Sequence, residues 1–335
     1  MSVQSRGDCL ALSPFGPTLI EEIAVSSIRV GSAPDSWGVW FPEDPEQTTP
    51  ERFLAEVAGA GYDVIELGPY GFLPTDPTAL ADALREHGLS VSAGTVFEHL
   101  HQPDSWDHVW DQVADVAALT RAVGGEHLVV IPEPWRDHKT GAPKEPRELD
   151  AASWGRLTTG MDTLGRRVLE EYGLRVQFHS HADSHVGYQR EIERFVESTD
   201  PRYVNLCLDT GHVSYYGGDN VAIIRKYPER IGYLHLKQVD PAIVARVEAE
   251  DLPFPDAVRA GAMIEPPHGV PSMPDVLRAV EEAVLPVNPD VFAIVEQDMY
   301  PCPPDQPLPI AKRTRTYLAG CGGAVAVGPA ALTTA

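Results

Sequence analysis

The sequence predicts a single (β/α)8 barrel, and three observations lead there. Eight short β-branched or apolar runs are each followed by an amphipathic helical stretch. Strand–helix alternation implies a parallel sheet, and eight units are the number that closes such a barrel. None of the turns after these runs reads GxGxxG, the phosphate loop expected early in a doubly wound open sheet. No low-complexity linker divides the 335 residues. Length alone suggests about two domains at ~150 residues each, but α/β barrels run to roughly 250 residues or more as one domain.

Taken in order, the barrel opens with IRVGSAP (28–34). Its helix, TPERFLAEVAGAG, has Thr49 in cap position, Pro50 in the first turn and Gly61 as its stop. DVIELG (63–68) leads to DPTALADALREHG, punctuated in the same way by Asp76, Pro77 and Gly88. LSVSAGTVF (89–97) leads to SWDHVWDQVADVAALTRAVG, HLVVIPE (127–133) to WGRLTTGMDTLGRRVLEEYG, and RVQFHSH (175–181) to QREIERFVEST. VNLCLDTGH (204–212) precedes VAIIRKYP, RIGYLHLKQ (230–238) precedes MPDVLRAVEEAV, and VFAIVEQD (291–298) precedes IAKRTRTYLAG. The predicted limits are an extension over 1–27, the barrel over 28–320 and a tail over 321–335, both ends lying outside the fold. The longest insertion, about 239–271, follows the seventh strand. It is therefore a βα loop on the C-terminal face, where such barrels hold their active sites.

Composition narrows the partners. Hydrophobic residues make up 43% and charged residues 22% of the chain, the ordinary mix of a soluble globular protein. With 26 Lys+Arg against 49 Asp+Glu the formal net charge is -23. A surface that acidic repels phosphate backbones and anionic lipids, which excludes nucleic-acid and membrane-surface binding. The four cysteines, Cys9, Cys207, Cys302 and Cys321, form no CxxC pair and read as reduced thiols of a cytoplasmic protein. No run reaches ~18 apolar residues, and MSVQSRGDCLALSPF has no basic region ahead of an apolar core, so neither a membrane span nor a secretory signal is expected.

Polar residues gather at the strand ends: Glu66, Glu133, His179 and His181, Asp209 and His212, His235 and Lys237, Glu296 and Asp298. Side chains alternate along a strand, so His179 and His181 share a face, as do His235 with Lys237 and Glu296 with Asp298. Pointed inward, they place several carboxylates, several imidazoles and an ammonium in one small volume. A buried core tolerates that only when the groups are paired or hold a metal. Imidazole nitrogen with carboxylate oxygen, and no thiolate, suits Mn²⁺, Co²⁺, Mg²⁺ or Zn²⁺. Cys207 lies two residues before Asp209, deeper in the barrel, and reads as core. A metal beside a Lys or Glu is suited to removing a proton next to a carbonyl. Nucleophilic catalysis fits poorly, since there is no GxSxG elbow.

The run HSHADSHVGYQREIERFVESTDPRYVNLCLDTGHVSYYGGDN, followed by RIGYLHLKQVD and AIVEQD, together with VGSAPDSWG and YDVIELGPYG, resembles the inosose dehydratases. These belong to the sugar phosphate isomerase/epimerase superfamily, whose barrels are xylose isomerase-like. The resemblance extends from about Ile28 to Leu318, and LDTGH followed by LHLK is its most specific part. It implies one divalent ion, Mn²⁺ first, held by a strand-five residue, the Asp of DTGH, the His of HxK and a strand-eight Glu. In this sequence those positions are His179, Asp209, His235 and Glu296. Many relatives carry Glu where His179 stands. Without that second Glu the symmetric acid–base pair of the epimerases is missing, which favours the dehydratase branch.

The resulting expectation is a metal-dependent lyase that takes a proton α to the carbonyl of a keto-cyclitol or keto-sugar and expels a β leaving group. Inosose dehydration stands first. A 3-keto-glycoside deglycosidase stands next, then a sugar isomerase or epimerase, then a non-enzymatic sugar-binding or scaffold barrel. Lys237, His181, Glu133 and Glu66 are the catalytic candidates; Lys237 would act as base or oxyanion partner if its pKa is depressed. His212, Trp37 and Trp135 are the substrate-binding candidates, with Trp40 on the same face; aromatic rings there suit a cyclitol or sugar ring. His268, in the insertion, is a weaker contact candidate. A homo-oligomer is expected and, for the deglycosidase reading, a small accessory subunit.

Overall fold

The computed structural model describes residues 27–137, 140–322 and 324–327. Its strands are β1 (Ser27–Ser32), β2 (Val64–Glu66), β3 (Ser90–Glu98), β4 (His127–Pro132), β5 (Arg175–His179), β6 (Val204–Asp209), β7 (Ile231–Leu236), β8 (Gln238–Val239), β9 (Met263–Ile264), β10 (Asp290–Val295) and β11 (Val325–Val327). The sheet runs β10-β7-β6-β5-β4-β3-β2-β1 and closes through β10–β1, with parallel pairing throughout. The eight-stranded barrel predicted from the alternation is therefore present.

Helices α1 (Pro50–Ala60), α2 (Pro77–His87), α3 (Trp106–Ala122), α4 (Ala151–Tyr172), α5 (Gln189–Ser198), α6 (Thr210–Tyr215), α7 (Asn220–Lys226), α8 (Pro241–Glu250), α9 (Phe254–Arg259), α10 (Met273–Ala279) and α11 (Pro307–Ala319) complete the fold. Their starts follow the capping chemistry: Thr49, Asp76, Asp150 and Asp219 each accept a backbone N–H of the first turn. The Asp150 cap starts α4 three residues earlier than the apolar spacing indicates. Outer faces of the strands pack on the helices through Ile28, Val30, Val176, Phe178, Leu206 and Leu234. The barrel interior is a separate, smaller cluster built from Val64, Ala93, Val129, Cys207, Tyr233, Phe292 and Ile294. That separation confirms which parity of each strand points inward.

Two regions depart from the expected outline. The sequence puts the tail outside the fold, yet Val325–Val327 pairs with β1, Ile28 opposite Val325 and Val30 opposite Val327. The reason lies in β2, which meets β1 only at Ser32–Ile65. The lower edge of β1 would otherwise expose unpaired N–H and C=O groups, and β11 covers them. The predicted N-terminal extension lies outside the described residues apart from Ser27. The insertion after β7 is more than a loop: β8 and β9 pair antiparallel, and α8 and α9 fold with them over Val239, Val247, Phe254, Val258 and Met263. Among the described residues, no helix is long and apolar enough to cross a membrane.

Candidate active site and metal centre

Alternate residues climb the inner face toward the C-terminal mouth: Gln177 and His179 on β5, Cys207 and Asp209 on β6, Tyr233 and His235 on β7 with Lys237 beyond it. At the mouth their polar atoms converge. His179 Nε2 lies 3.2 Å from Asp209 Oδ2, which lies 3.6 Å from His235 Nδ1, which lies 3.0 Å from Glu296 Oε2. All four side chains are buried, and one donor atom from each lies within 4.8 Å of the others. Donors held 2.0–2.2 Å from a shared ion sit roughly 3–4 Å apart, so the spacing fits one divalent cation.

The DTGH segment explains how Asp209 is aimed. Asp209 ends β6 and caps α6: its Oδ1 accepts the N–H groups of Gly211 and His212, each at 2.8 Å. Oδ2 is thereby left to the mouth. Gly211 is required because a Cβ there would come within 2.4 Å of Lys237 Cβ. The Thr210 hydroxyl donates to the Lys237 carbonyl (2.8 Å) and accepts the Lys237 N–H (2.9 Å), clamping β6 to the end of β7. The sequence predicts strand end and loop where the short helix α6 forms.

His235 is fixed from behind. Its Nε2–H donates to Glu66 Oε2 at 2.9 Å, and the other Glu66 oxygen accepts from the Thr95 hydroxyl. Glu66, expected among the acid–base groups, has both oxygens engaged and is placed to orient His235. With Nε2 carrying its hydrogen, the Nδ1 of His235 faces the oxygens of Glu296 and Asp209 without a hydrogen-bond partner. A lone pair turned on two carboxylates is repulsive unless a proton or a cation lies between them. That orphaned nitrogen is the structural sign that the donor set fits a metal.

Lys237 Nζ lies 2.9 Å from Asp298, 3.1 Å from Glu296, 3.3 Å from Asp209 and 3.8 Å from Asp35. Burial alone would depress its pKa, the condition for acting as a base. The four carboxylates outweigh burial and hold it well above the ordinary lysine range, so Lys237 is an ammonium here. The same balance lowers Asp209 well below the carboxylate range and Glu296 to about 2, burial working against Lys237 and the histidines in both cases. Burial raises Asp298, and burial with the Asp298 charge raises Asp35, which also accepts the Trp40 indole N–H at 2.7 Å. Burial raises Cys207 to about 12, as befits a core thiol.

Above this cluster lies a cavity of about 570 Å³ lined by Asp35, Trp40, Glu66, Glu133, His181 and Lys237 among others. His181 donates Nδ1–H to the Ala182 carbonyl at 2.7 Å, leaving the lone pair on Nε2, and burial lowers it to about 3. Burial and the neighbouring His181 keep His212 neutral; its Nδ1 accepts the Ala182 N–H and its Nε2 is 3.4 Å from Lys237 Nζ. His212 thus supports His181 and Lys237 from behind and is not a cavity-lining residue. Glu133 is half-buried on the cavity wall, 3.9 Å from Lys144.

The aromatic residues sort differently from expectation. Trp37 is fully buried against Phe53 and gives its indole N–H to Glu56 at 2.9 Å, so it is a wall residue. The cause is the 3-10 turn Pro34–Trp37, ended by Gly38 at φ 73°, which breaks the strand parity. Trp135 stacks under Arg136 at 4.2 Å and does not line the cavity. Trp40 does line it, stacked between Tyr300 and Phe254 of the insertion. His268 is exposed and away from the cavity. Asp35 and Thr95 were missed by sequence analysis, although Asp35 lies two residues past inward-facing Ala33 and inside the VGSAPDSWG segment.

Comparisons with known proteins agree with this architecture. Residues 54–296 match the model of the xylose isomerase-like TIM barrel family. An inosose dehydratase from Geobacillus kaustophilus is 30% identical over 260 residues, covering 74% of this chain and 81% of its own length. The rhizopine catabolism protein MocC of Rhizobium meliloti is 30% identical over 268 residues, covering 79% of each chain. Among solved structures, the IolI protein with a bound zinc atom superposes with a TM-score of 0.65 at 15% identity, covering 88% of this chain and 98% of that one.

Proposed function

The chain belongs to the xylose isomerase-like TIM barrel family, and from that premise we propose that it is a metal-dependent lyase of keto-cyclitols, an inosose dehydratase. The observation that carries the reading is the arc of His181, His212 and Lys237 running beside the four-donor set under one cavity. The inosose dehydratases among its relatives match over about four-fifths of their own length, which supports the same substrate class.

His179, Asp209, His235 and Glu296 would hold the divalent ion, Mn²⁺ first among Mn²⁺, Co²⁺, Mg²⁺ and Zn²⁺, and when bound it supplies Lewis-acid polarisation of a carbonyl oxygen. Glu66 keeps His235 in the tautomer that presents Nδ1 to the ion site. The reaction needs a base at the carbon α to the ketone and an acid at the leaving group. His181 is the base: with Nδ1–H held by Ala182, its Nε2 takes the proton from the carbon α to the ketone. The electrons of that C–H bond form the new C=C as the β C–O bond breaks. The Lys237 ammonium, on the cavity wall, gives its proton to the departing hydroxyl, which leaves as water. Trp40 offers the cavity a ring face for the cyclitol. No oxidant or reductant enters the balance.

The test is turnover of 2-keto-myo-inositol by the purified chain, with and without chelator. The expected outcome is dehydration that chelator abolishes and Mn²⁺ or Co²⁺ restores. Metal-loaded protein that leaves the ketone untouched overturns the substrate assignment, and dehydration indifferent to chelator overturns the metal assignment.

A further inference from the structure

A second histidine–carboxylate cluster lies outside the site just described. His101 is on the loop after β3, Glu145 on the loop between β4 and α4, and His185 on the loop between β5 and α5. His101 Nε2 is 2.8 Å from one Glu145 oxygen and His185 Nε2 is 3.0 Å from the other. The two rings meet edge to face, with centroids 4.6 Å apart. Both imidazoles are more than nine-tenths buried, the Glu145 side chain about four-fifths.

Hydrogen bonding fixes what His185 presents. Its Nδ1 lies 2.7 Å from the Arg147 carbonyl, which can only accept, so the ring hydrogen is on Nδ1. Nε2 then meets the acceptor-only Glu145 carboxylate at 3.0 Å, a contact that needs a proton or a cation between the two atoms. Metal-ligating histidines are held this way, one ring N–H on a backbone carbonyl and the other nitrogen on the ion. The loops carrying the donors are braced independently: Arg156 donates to the His101 carbonyl at 2.9 Å, and the Glu145 N–H donates to the Trp135 carbonyl at 3.2 Å.

We propose that His101, Glu145 and His185 form a second divalent-cation site, of zinc type, that ties three successive βα loops together at the rim of the cavity. Two imidazole nitrogens and a carboxylate are a zinc donor set, with a fourth position for water. The ion acts as a cross-link: the loop bearing Glu145 also carries Glu133 and Lys144, which line the cavity.

The experiment is zinc content by elemental analysis after chelator stripping and dialysis against zinc chloride. It compares the wild-type chain with Asp209→Asn, His185→Gln, Glu145→Gln and the Asp209→Asn/His185→Gln pair. Two equivalents are expected in the wild type, one in each single variant and none in the pair. Unchanged zinc in both His185→Gln and Glu145→Gln overturns the rim site, as does an Asp209→Asn protein that binds none. One equivalent in the wild type, lost in His185→Gln but kept in Asp209→Asn, upholds the rim site and removes the principal metal centre instead. Should the rim variants fail to fold, Asp209→Asn leaves all three loops intact. Its unfolding temperature should rise with added zinc, and no rise overturns the proposal.

Discussion

The mouth and the floor of the same barrel bury polar groups in opposite ways. On the floor, Gln177 donates its amide to His127 Nδ1 at 2.9 Å, and the hydroxyls of Tyr233 and Ser92 meet at 2.7 Å. Burial pushes His127 down to about 3 and Tyr233 well above its usual range, so both are neutral at ordinary pH. At the mouth, two turns of side-chain alternation higher, Lys237 is ringed by Asp35, Asp209, Glu296 and Asp298, and Glu66 backs His235. Neutral pairs close the floor without help. The mouth gathers carboxylates in excess of its cations, an arrangement that is costly unless a further positive charge is held there. The floor buries its polar groups as neutral pairs and the mouth buries them as charges.

The largest effect should come from emptying the mouth. Asp209→Asn keeps the α6 cap but removes the charge; it should lower kcat/KM roughly a thousandfold or more, the several kcal/mol a Lewis-acid cation supplies. Circular dichroism should show the fold retained and elemental analysis the loss of one metal equivalent. Full turnover in that variant would break the contrast between the two ends.

The floor should instead control stability against pH. The His127 pKa is about 3 when folded and ~6.5 when unfolded. Between those values the unfolded chain binds a proton that the folded chain does not. The stability His127 contributes is therefore complete above pH ~6.5 and is lost as pH falls toward 3, at up to about 1.4 kcal/mol per pH unit. His127→Gln should flatten this part of the profile by about 2–3 kcal/mol between pH 7.5 and 4.5, read from urea midpoints, with kcat at pH 7.5 unchanged.

Glu66→Gln acts on the four-donor set through His235. It should weaken metal affinity by about 10–100-fold, seen as a shift in the metal concentration that restores half-maximal activity, while kcat at saturating metal stays close to wild type. The smallest effects separate the two tryptophans. Trp40→Ala should raise KM with little change in kcat. Trp37→Phe should leave KM alone and cost stability by about 1 kcal/mol for the lost bond to Glu56.

The mouth was legible in sequence wherever strand parity holds. His179, Asp209, His235 and Glu296 come together because each is an inward position near the end of its strand, and inward positions recur every second residue. Parity says nothing once the backbone turns: Trp37 reads as a cavity residue, but it ends the 3-10 turn after β1 and packs on Phe53 instead. The charge state of Lys237 was equally hidden, because the carboxylates that set it arrive on β6, on the β1 turn and past β10, far apart in sequence. β11 gave no signal of its own. Its three short residues pair only because β2 leaves the lower edge of β1 open.

The divided carboxylate of Asp209 makes the backbone beside it a built-in reporter. One oxygen holds the N–H groups of Gly211 and His212 while the other faces the donor set. Any change of charge on the second oxygen alters the strength of the bonds to the first. Those two amide resonances, in a glycine and its neighbour, give a spectroscopic readout of site occupancy that needs neither substrate nor turnover.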